Sequence, residues 1–165
     1  MSNRVGVGHM AIMEIVEDGA PVLRQKAQPV TQVTKKVRKL IKDMMETMHA
    51  AEGVGLAAPQ VGISQRIVVV DVGDGPIALV NPEIQETVGT EIDVEGCLSV
   101  PGVFGYVERA QQVTVTGLDE AGQATKIKAS DLFARALQHE IDHLDSILFL
   151  DKVLEVNIEL EDEEA

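Results

Sequence analysis

Two histidines near the C-terminal end of the chain flank a glutamate in the order His139-Glu-Ile-Asp-His143. Side chains at positions i and i+4 of a helix lie one above the other on the same face. Both imidazoles can therefore bind one metal ion, and Glu140 lies one residue round the helix, within reach of a water molecule there. This spacing is the HExxH pattern of zinc-type hydrolases. The simpler alternative is a helix that carries two surface histidines.

The surroundings of Glu140 favour the metal interpretation. Glu140 shares its helix stripe with apolar residues, so we expect it to be partly buried. No Lys or Arg occupies positions 136, 137, 143 or 144. A buried carboxylate without a cationic partner is costly, and a metal ion would supply the compensation. Asp142 points elsewhere, and we expect it to lie behind the ligands or at the surface.

A catalytic site of this type uses three protein ligands and keeps one position for water, so a third ligand is needed. Zincin-like enzymes place it downstream, where the candidates are Asp145, Asp151 and an acidic tail. Asp145 follows the second histidine too closely to fold back. Cys97 is the upstream candidate, and the neighbouring Gly96 allows close approach of a backbone or helix. Because Cys97 is the only cysteine, a disulfide framework is excluded, and the thiol is either a ligand or an inert core residue.

A glycine-rich segment, Gly53-Val-Gly-Leu-Ala-Ala-Pro-Gln60, matches the G-x-G-x-x-A fingerprint of dinucleotide-binding folds, and Asp71 follows at a suitable distance. That fingerprint needs a strand before the glycines and a helix after them. Here a helical pattern precedes them, and Pro59 and Gly62 prevent a useful helix afterwards. A loop that lays its backbone beside a ligand fits better. Gln60 is then an amide donor to that ligand or an ordinary loop residue.

Composition limits the classes of partner. The 165 residues suffice for one domain with a sizeable core, and 45% of them are hydrophobic. A formal net charge of −13 argues against nucleic-acid binding through a broadly positive surface. We see no apolar run of membrane-helix length and no secretory or transit signal. With a lone cysteine as well, we expect a cytoplasmic protein.

The elements that position these residues follow from apolar spacing. The spacing predicts a helix from Thr34 to about Ala50, with its methionines in the core and His49 as a solvent-facing or capping residue at its end. A second helix runs from about Asp131 to Leu144, with Ser130 or Asp131 as N-cap. Strands are predicted at Arg66–Asp71, Ile77–Val80, Ile84–Val88, Gln112–Leu118 and Gln123–Lys128, and Ile147–Leu150 is compatible with a closing strand.

This order predicts an α+β fold in which short, mostly antiparallel strands pack around the HExxH helix, with the other helix near the N-terminus. We expect one catalytic domain over residues 1–165. Within it, residues 1–10 read as a tag or flexible extension, and residues 155–165 as a solvated acidic tail.

Three segments together resemble the motifs of peptide deformylases, in the same order along the chain. They are Gly53–Gln60, Glu95-Gly-Cys-Leu-Ser99 and Gln138-His-Glu-Ile-Asp-His-Leu144. The resemblance extends to Pro21–Arg24, Asn81–Glu83, Pro101–Val103 and Leu148–Asp151. It departs from the family at Ser146, where a glycine is usual, and in the acidic tail, which is unlike a basic ribosome-docking helix.

The resemblance implies a metal-dependent hydrolase that removes the N-formyl group from formyl-methionine at the start of newly synthesised polypeptides and releases formate. It implies one Fe²⁺ per chain, held by Cys97, His139 and His143, with Zn²⁺, Ni²⁺ or Co²⁺ able to occupy the same site. The implied partners are formyl-methionyl nascent peptides at the ribosome, without direct nucleic-acid or membrane binding, and the implied state is a monomer.

The remaining roles also come from the resemblance. Glu140 would be the general acid and base, and Gln60 with the backbone N–H of Leu98 would form the oxyanion hole. The residues expected to border the methionine pocket are Val54, Gly55, Gly96, Leu132 and Ala136. Two alternatives stay open from the residues alone: a zincin-like endopeptidase that uses Asp151 as a ligand, and a metal- or peptide-binding module without turnover.

Overall fold

The computed structural model describes residues 12–156. The predicted extension at 1–10 lies outside this range, as does the acidic tail beyond its first two residues. Residues 12–156 contain two α-helices, α1 (Lys35–Ala50) and α2 (Asp131–Leu144). The strands are β1 (Gly55–Ala57), β2 (Ile67–Val70), β3 (Ile77–Val88), β4 (Glu91–Cys97), β5 (Val100–Arg109), β6 (Gln112–Leu118), β7 (Ala124–Ser130) and β8 (Val153–Val156).

The strands form two antiparallel sheets. The first has five strands in the order β1-β2-β3-β6-β7, and the second has three in the order β4-β5-β8. Each neighbouring pair of these strands is antiparallel. The predicted α+β class, with strands around the HExxH helix and a second helix nearer the N-terminus, is confirmed.

Strand β2 shows why both faces of the first sheet are covered. Its four residues are all apolar and fully buried, and successive side chains point to opposite faces. Ile67 and Val69 pack in the cluster of α1, whereas Val68 and Val70 pack in the cluster of α2. A continuous apolar strand therefore indicates a helix on each side.

Helix α1 begins at a side-chain cap and buries one stripe. The Thr34 hydroxyl accepts a hydrogen bond from the backbone N–H of Val37 at 3.2 Å. The buried stripe includes Ile41, Met44 and Met48, each fully inaccessible to solvent. The methionines are core residues, as the spacing predicts.

Helix α2 lies between the two sheets. Ser130 precedes it as N-cap but makes no side-chain capping hydrogen bond, so the predicted cap is present in position only. Arg135 donates from α2 to the backbone oxygens of Val107 and Glu91 in the second sheet, at 2.9 and 2.8 Å.

The side-chain amide of Gln138 joins α2 to the chain crossing between the sheets. Its oxygen accepts from the backbone N–H of Ala110 at 3.0 Å, and its nitrogen donates to the backbone oxygen of Ala110 at 2.9 Å. Ala110 lies between β5 of the second sheet and β6 of the first. The amide therefore pairs with this crossing as a neighbouring strand would.

Three predicted elements need correction. The two strands predicted at 77–80 and 84–88 are one strand, β3, with register shifts against β6. The break in the pattern comes from Asn81, which has φ +53° and whose amide binds both backbone groups of Val30 at 2.8 Å. The segment 91–109, only partly interpreted from the sequence, is the β4–β5 hairpin.

The predicted closing strand at Ile147–Leu150 is wrong. Phe149–Asp151 is a single turn of 3-10 helix, and the closing strand is β8. The Asp151 carboxylate stabilises this turn by accepting a hydrogen bond from the backbone N–H of Leu148 at 2.9 Å. Within residues 12–156, no helix is both long and apolar enough to span a membrane.

Candidate metal centre and its cavity

One thiol and two imidazoles converge at the inner face of α2. The ligand atoms of Cys97, His139 and His143 all lie within 4.8 Å of one another. The Sγ of Cys97 lies 3.4 Å from Nε2 of His143. The two histidines are one turn apart on α2, whereas Cys97 closes β4. The structure thus brings together the three residues that the sequence nominated as ligands.

Neither downstream acid joins this group. Asp151 pairs with Arg24, at 2.6 and 3.1 Å between the carboxylate oxygens and the guanidinium nitrogens. Asp145 lies 3.0 Å from the guanidinium of Arg66. Both carboxylates are therefore engaged by arginines away from the ligand cluster. Among residues 12–156, the cluster therefore takes its third member from upstream of the histidines, unlike the zincin arrangement.

Glu95 holds the first histidine in place. Its buried carboxylate lies 2.9 Å from Nδ1 of His139, which leaves Nε2 of that ring for an ion. Arg109 donates to both oxygens of Glu95 at 2.8 and 3.0 Å, and Arg135 donates at 2.7 Å. Burial alone would raise the pKa of Glu95, but hydrogen bonds from His139 and Arg109 outweigh it and lower this pKa. Glu95 therefore stays ionised and orients the ring.

The two arginines were not identified from the sequence. Arg109 also reaches Asp142 at 2.6 Å, so Asp142 lies behind the ligands, at one of the two places expected for it. Lys152 adds a third cation, 3.0 Å from the same Asp142 oxygen. The sequence offered only an indirect signal for them. Glu95 lies two residues before Cys97, and its negative charge would need cationic partners if it were buried.

The donor set suits a divalent cation. Thiolate and imidazole together are ligands of zinc and related transition metals. Two buried atoms beside the cluster, Oε1 of Glu140 and Nδ1 of His143, have no hydrogen-bond partner among the described residues. Burial lowers the pKa of His139, but Glu140, Cys97 and Glu95 together raise it to about 10. Surroundings that favour positive charge so strongly fit a bound cation.

Glu140 is buried beside the ligands, as expected from its helix stripe. It is 4% exposed, and burial, with smaller contributions from nearby acids, raises its pKa to about 7. A carboxyl with this pKa can accept and return a proton near neutrality. Gly55 leaves room for it, because a Cβ at that position would lie 2.5 Å from Oε2 of Glu140.

Gln60 turns its amide nitrogen toward the cluster. Its oxygen accepts from the backbone N–H of Ala57 at 2.9 Å, which fixes the orientation of the amide. The nitrogen donates to Oγ of Ser99 at 3.1 Å and lies 3.6 Å from Sγ of Cys97. This donor is buried at the site, and a ligand that accepts from it would replace the contact with Ser99 or with Cys97.

A cavity of about 510 Å³ opens beside the cluster. All five residues predicted for the methionine pocket line it, together with Gln60, Leu98 and Glu140. The sequence did not identify Phe104 or Arg135 as lining residues. Phe104 packs against Gly96, where a Cβ would meet its ring at 2.7 Å, and this contact between two strands has no signal in the sequence.

The dinucleotide alternative fails on topology. The glycine segment leads from α1 into β1 and then into a single 3-10 turn, Ala58–Val61. No phosphate-binding helix follows it, and Asp71 instead binds His49 at 2.8 Å.

Comparisons with known proteins show which family this chain resembles. A family model described as polypeptide deformylase matches residues 12–158. A peptide deformylase of Halothermothrix orenii is 58% identical over 153 residues, covering 92% of this chain and 99% of the relative. One of Carboxydothermus hydrogenoformans is 55% identical over 143 residues, covering 87% of this chain and 94% of the relative.

Solved structures of peptide deformylases have a similar fold. The crystal structure of peptide deformylase from Thermotoga maritima has a TM-score of 0.85 at 45% identity and covers 87% of this chain and 99% of its own. That of a Synechococcus elongatus peptide deformylase in complex with actinonin has a TM-score of 0.84 at 44% identity, covering 87% of this chain and 79% of its own. The resemblance seen in the three motifs is confirmed: this chain belongs to the polypeptide deformylase family.

Proposed function

We propose that this chain removes the N-formyl group from formyl-methionine at the N-terminus of newly made polypeptides and releases formate. The observation that carries the proposal is the Cys-His-His cluster beside a buried glutamate with a pKa near neutrality, at the base of a mostly apolar cavity. Membership of the family supports the same reaction. We infer that the matched residues act as one catalytic domain.

The ligands of the proposed ion are Cys97, His139 and His143. A divalent metal ion bound there supplies Lewis-acid chemistry and makes a water molecule acidic enough to react near neutral pH. We infer Fe²⁺ as the native ion, with Zn²⁺, Ni²⁺ or Co²⁺ as substitutes. Soft thiolate and imidazole donors are compatible with all four.

Glu140 is the proposed general acid and base. It accepts the proton of the attacking water and passes it to the departing amine, which is too basic to leave unprotonated. Burial favours the protonated form of Glu140, so its carboxyl can hold the proton between the two transfers.

Gln60 and the backbone N–H of Leu98 are the proposed oxyanion hole. Negative charge develops on the formyl oxygen during attack, and each such donor is typically worth about 3–4 kcal/mol. The hydrogen bond from Ala57 fixes the orientation of the Gln60 amide, with its nitrogen toward the cluster, and this supports the role.

The cavity beside the cluster is the proposed methionine pocket, bordered by Val54, Gly55, Gly96, Leu132 and Ala136. A linear, flexible, apolar side chain matches its walls. We infer that the substrates are nascent peptides met at the ribosome, that the protein works in the cytoplasm as a monomer, and that it binds no nucleic acid directly.

The test is formate release from formyl-Met-Ala-Ser by protein purified without oxygen and loaded with Fe²⁺, with metal content measured on the same sample. Acetyl-Met-Ala-Ser is the matched substrate that should not react. Formate at one metal per chain supports the proposal. Stoichiometric metal without formate would leave only a binding module.

Two variants separate the roles. Glu140→Gln should keep its metal and lose turnover, whereas Glu86→Gln, on an exposed part of β3, should change neither. Cys97→Ser should lower metal content and activity sharply. A Cys97→Ser protein that keeps its metal and cleaves internal peptide bonds would instead indicate an endopeptidase.

A further inference from the structure

Two residues that the proposed chemistry does not use, His49 and Asp71, are in contact. Nε2 of His49 at the end of α1 lies 2.8 Å from Oδ2 of Asp71, which follows β2. The backbone N–H of Asp71 donates to the backbone oxygen of Val54 at 2.9 Å. Asp71 therefore contacts the last turn of α1 and the end of the short segment Ala51–Val54 that follows it, which we name the pocket loop.

Asp71 is a fixed anchor rather than a mobile surface acid. Its other carboxylate oxygen accepts from the backbone N–H groups of Gly73 and Gly75 at 2.9 and 3.2 Å. The Gly73 hydrogen bond and then the His49 contact lower the pKa of Asp71. An ionised carboxylate tied to its own turn gives His49 a partner of constant position.

The pocket loop forms one wall of the cavity. Glu52, Gly53 and Val54 all line it. The loop leaves α1 through a residue with positive φ, Glu52 at +59°, and Val54 is 43% exposed. The backbone N–H groups of Ala51, Glu52 and Gly53 donate to the last carbonyls of α1 at 3.0 Å each, so the loop follows the end of this helix, which His49 joins to Asp71.

The reacting groups lie on other elements. The histidines and Glu140 are on α2, and Gly55, the next residue after the loop, pairs with Val70 in the first sheet. A shift confined to the pocket loop would therefore move a wall of the binding cavity and leave the chemical groups in place.

We propose that His49 and Asp71 form a clasp that positions the pocket loop for the substrate, which makes His49 a positioning residue for binding. The inference rests on the proposed function for its kinetic meaning. Loss of the clasp should weaken substrate binding and raise KM, and the chemical step measured by kcat should change little.

The test compares metal-loaded parent protein with His49→Ala and His49→Gln. The glutamine amide reaches about as far as Nε2 of histidine and can donate to Asp71. For formyl-Met-Ala-Ser we expect His49→Ala to raise KM about three- to tenfold and to leave kcat within about twofold, as loss of one hydrogen bond predicts. His49→Gln should return KM to within about twofold of the parent.

Amide hydrogen exchange gives a second readout that needs no turnover. The pocket loop should exchange several-fold faster in His49→Ala and at the parental rate in His49→Gln. Lys42→Ala, an exposed change on the same helix, should alter neither readout.

Parental KM and exchange in His49→Ala would overturn the clasp. So would a folded His49→Gln that restores neither value. If the parent released no formate, the proposed function would fail, and the exchange measurement would still decide whether the clasp orders the loop.

Discussion

The contact between Gly55 and Glu140 gives the sharpest test of the site. An alanine Cβ at position 55 would lie 2.5 Å from Oε2 and 2.8 Å from Cγ of Glu140, whereas ordinary contact begins at 3.4 Å. Gly55 is not among the glycines with positive φ, so its backbone can accept alanine without strain. The added methyl group must therefore displace the carboxylate.

The displacement needed is about 1 Å, and a misplacement of that size at a reacting group costs about 100-fold in rate. At 1.36 kcal/mol per factor of ten, this is about 2.7 kcal/mol of barrier. We expect Gly55→Ala to lower kcat for formate release by about 100-fold while metal content stays at the parental value. The metal should stay because the proposed ligands, Cys97, His139 and His143, are other residues.

The matched control is Gly53→Ala in the adjoining pocket loop. There the new Cβ would meet Cδ1 of Leu98 at 2.7 Å, the free end of a side chain that can rotate away. We expect kcat to remain within about threefold of the parent. Unchanged kcat in Gly55→Ala, or a loss that parallels loss of metal, would refute the reasoning about Glu140.

Three further outcomes are expected. Ser146 has φ +64°, so Ser146→Gly should relieve strain and raise the free energy of unfolding by about 0.5–1 kcal/mol in urea denaturation; a decrease would contradict this. Glu95→Ala should remove the buried carboxylate that two buried arginines share, lowering that free energy by about 3–5 kcal/mol, and should weaken metal affinity about 10- to 100-fold in competition titrations; parental affinity would disprove the orienting role. The Arg24 hydrogen bond lowers the pKa of Asp151, so its stabilisation is present above the ordinary Asp pKa and is lost as pH falls through the lowered value. Below about pH 4 the parent should therefore lose stability more steeply than Asp151→Asn, and parallel urea-derived curves would contradict the pairing.

What the sequence predicted well is what depends on local spacing. The HExxH helix needs only an i, i+4 rule and a continuous apolar stripe. The sequence left few candidates for a third ligand. Asp145 was too close to the second histidine, so only Cys97, Asp151 and the acidic tail remained. The resemblance then pointed to Cys97, and the structure places it with the histidines.

What the sequence did not predict depends on contacts between distant segments. Arg109 and Arg135 meet at Glu95 from positions 14 and 40 residues away, and no periodicity encodes such a meeting. The side-chain bridge from Asn81 to Val30 likewise hid the continuity of β3. The 3-10 turn at 149–151 depends on the hydrogen bond from Leu148 to the Asp151 carboxylate, and the apolar run 147–150 gives no sign of this contact.

The paired hydrogen bonds between Gln138 and Ala110 bear on how a peptide enters the site. Helix α2 lies on one side of the cavity, and the second sheet lies on another. Gln138 joins α2 to the chain that leaves this sheet, so the two cannot separate at this point without breaking both hydrogen bonds. Widening the cavity at this point would therefore cost two hydrogen bonds, which favours a cavity that is largely formed before a ligand binds.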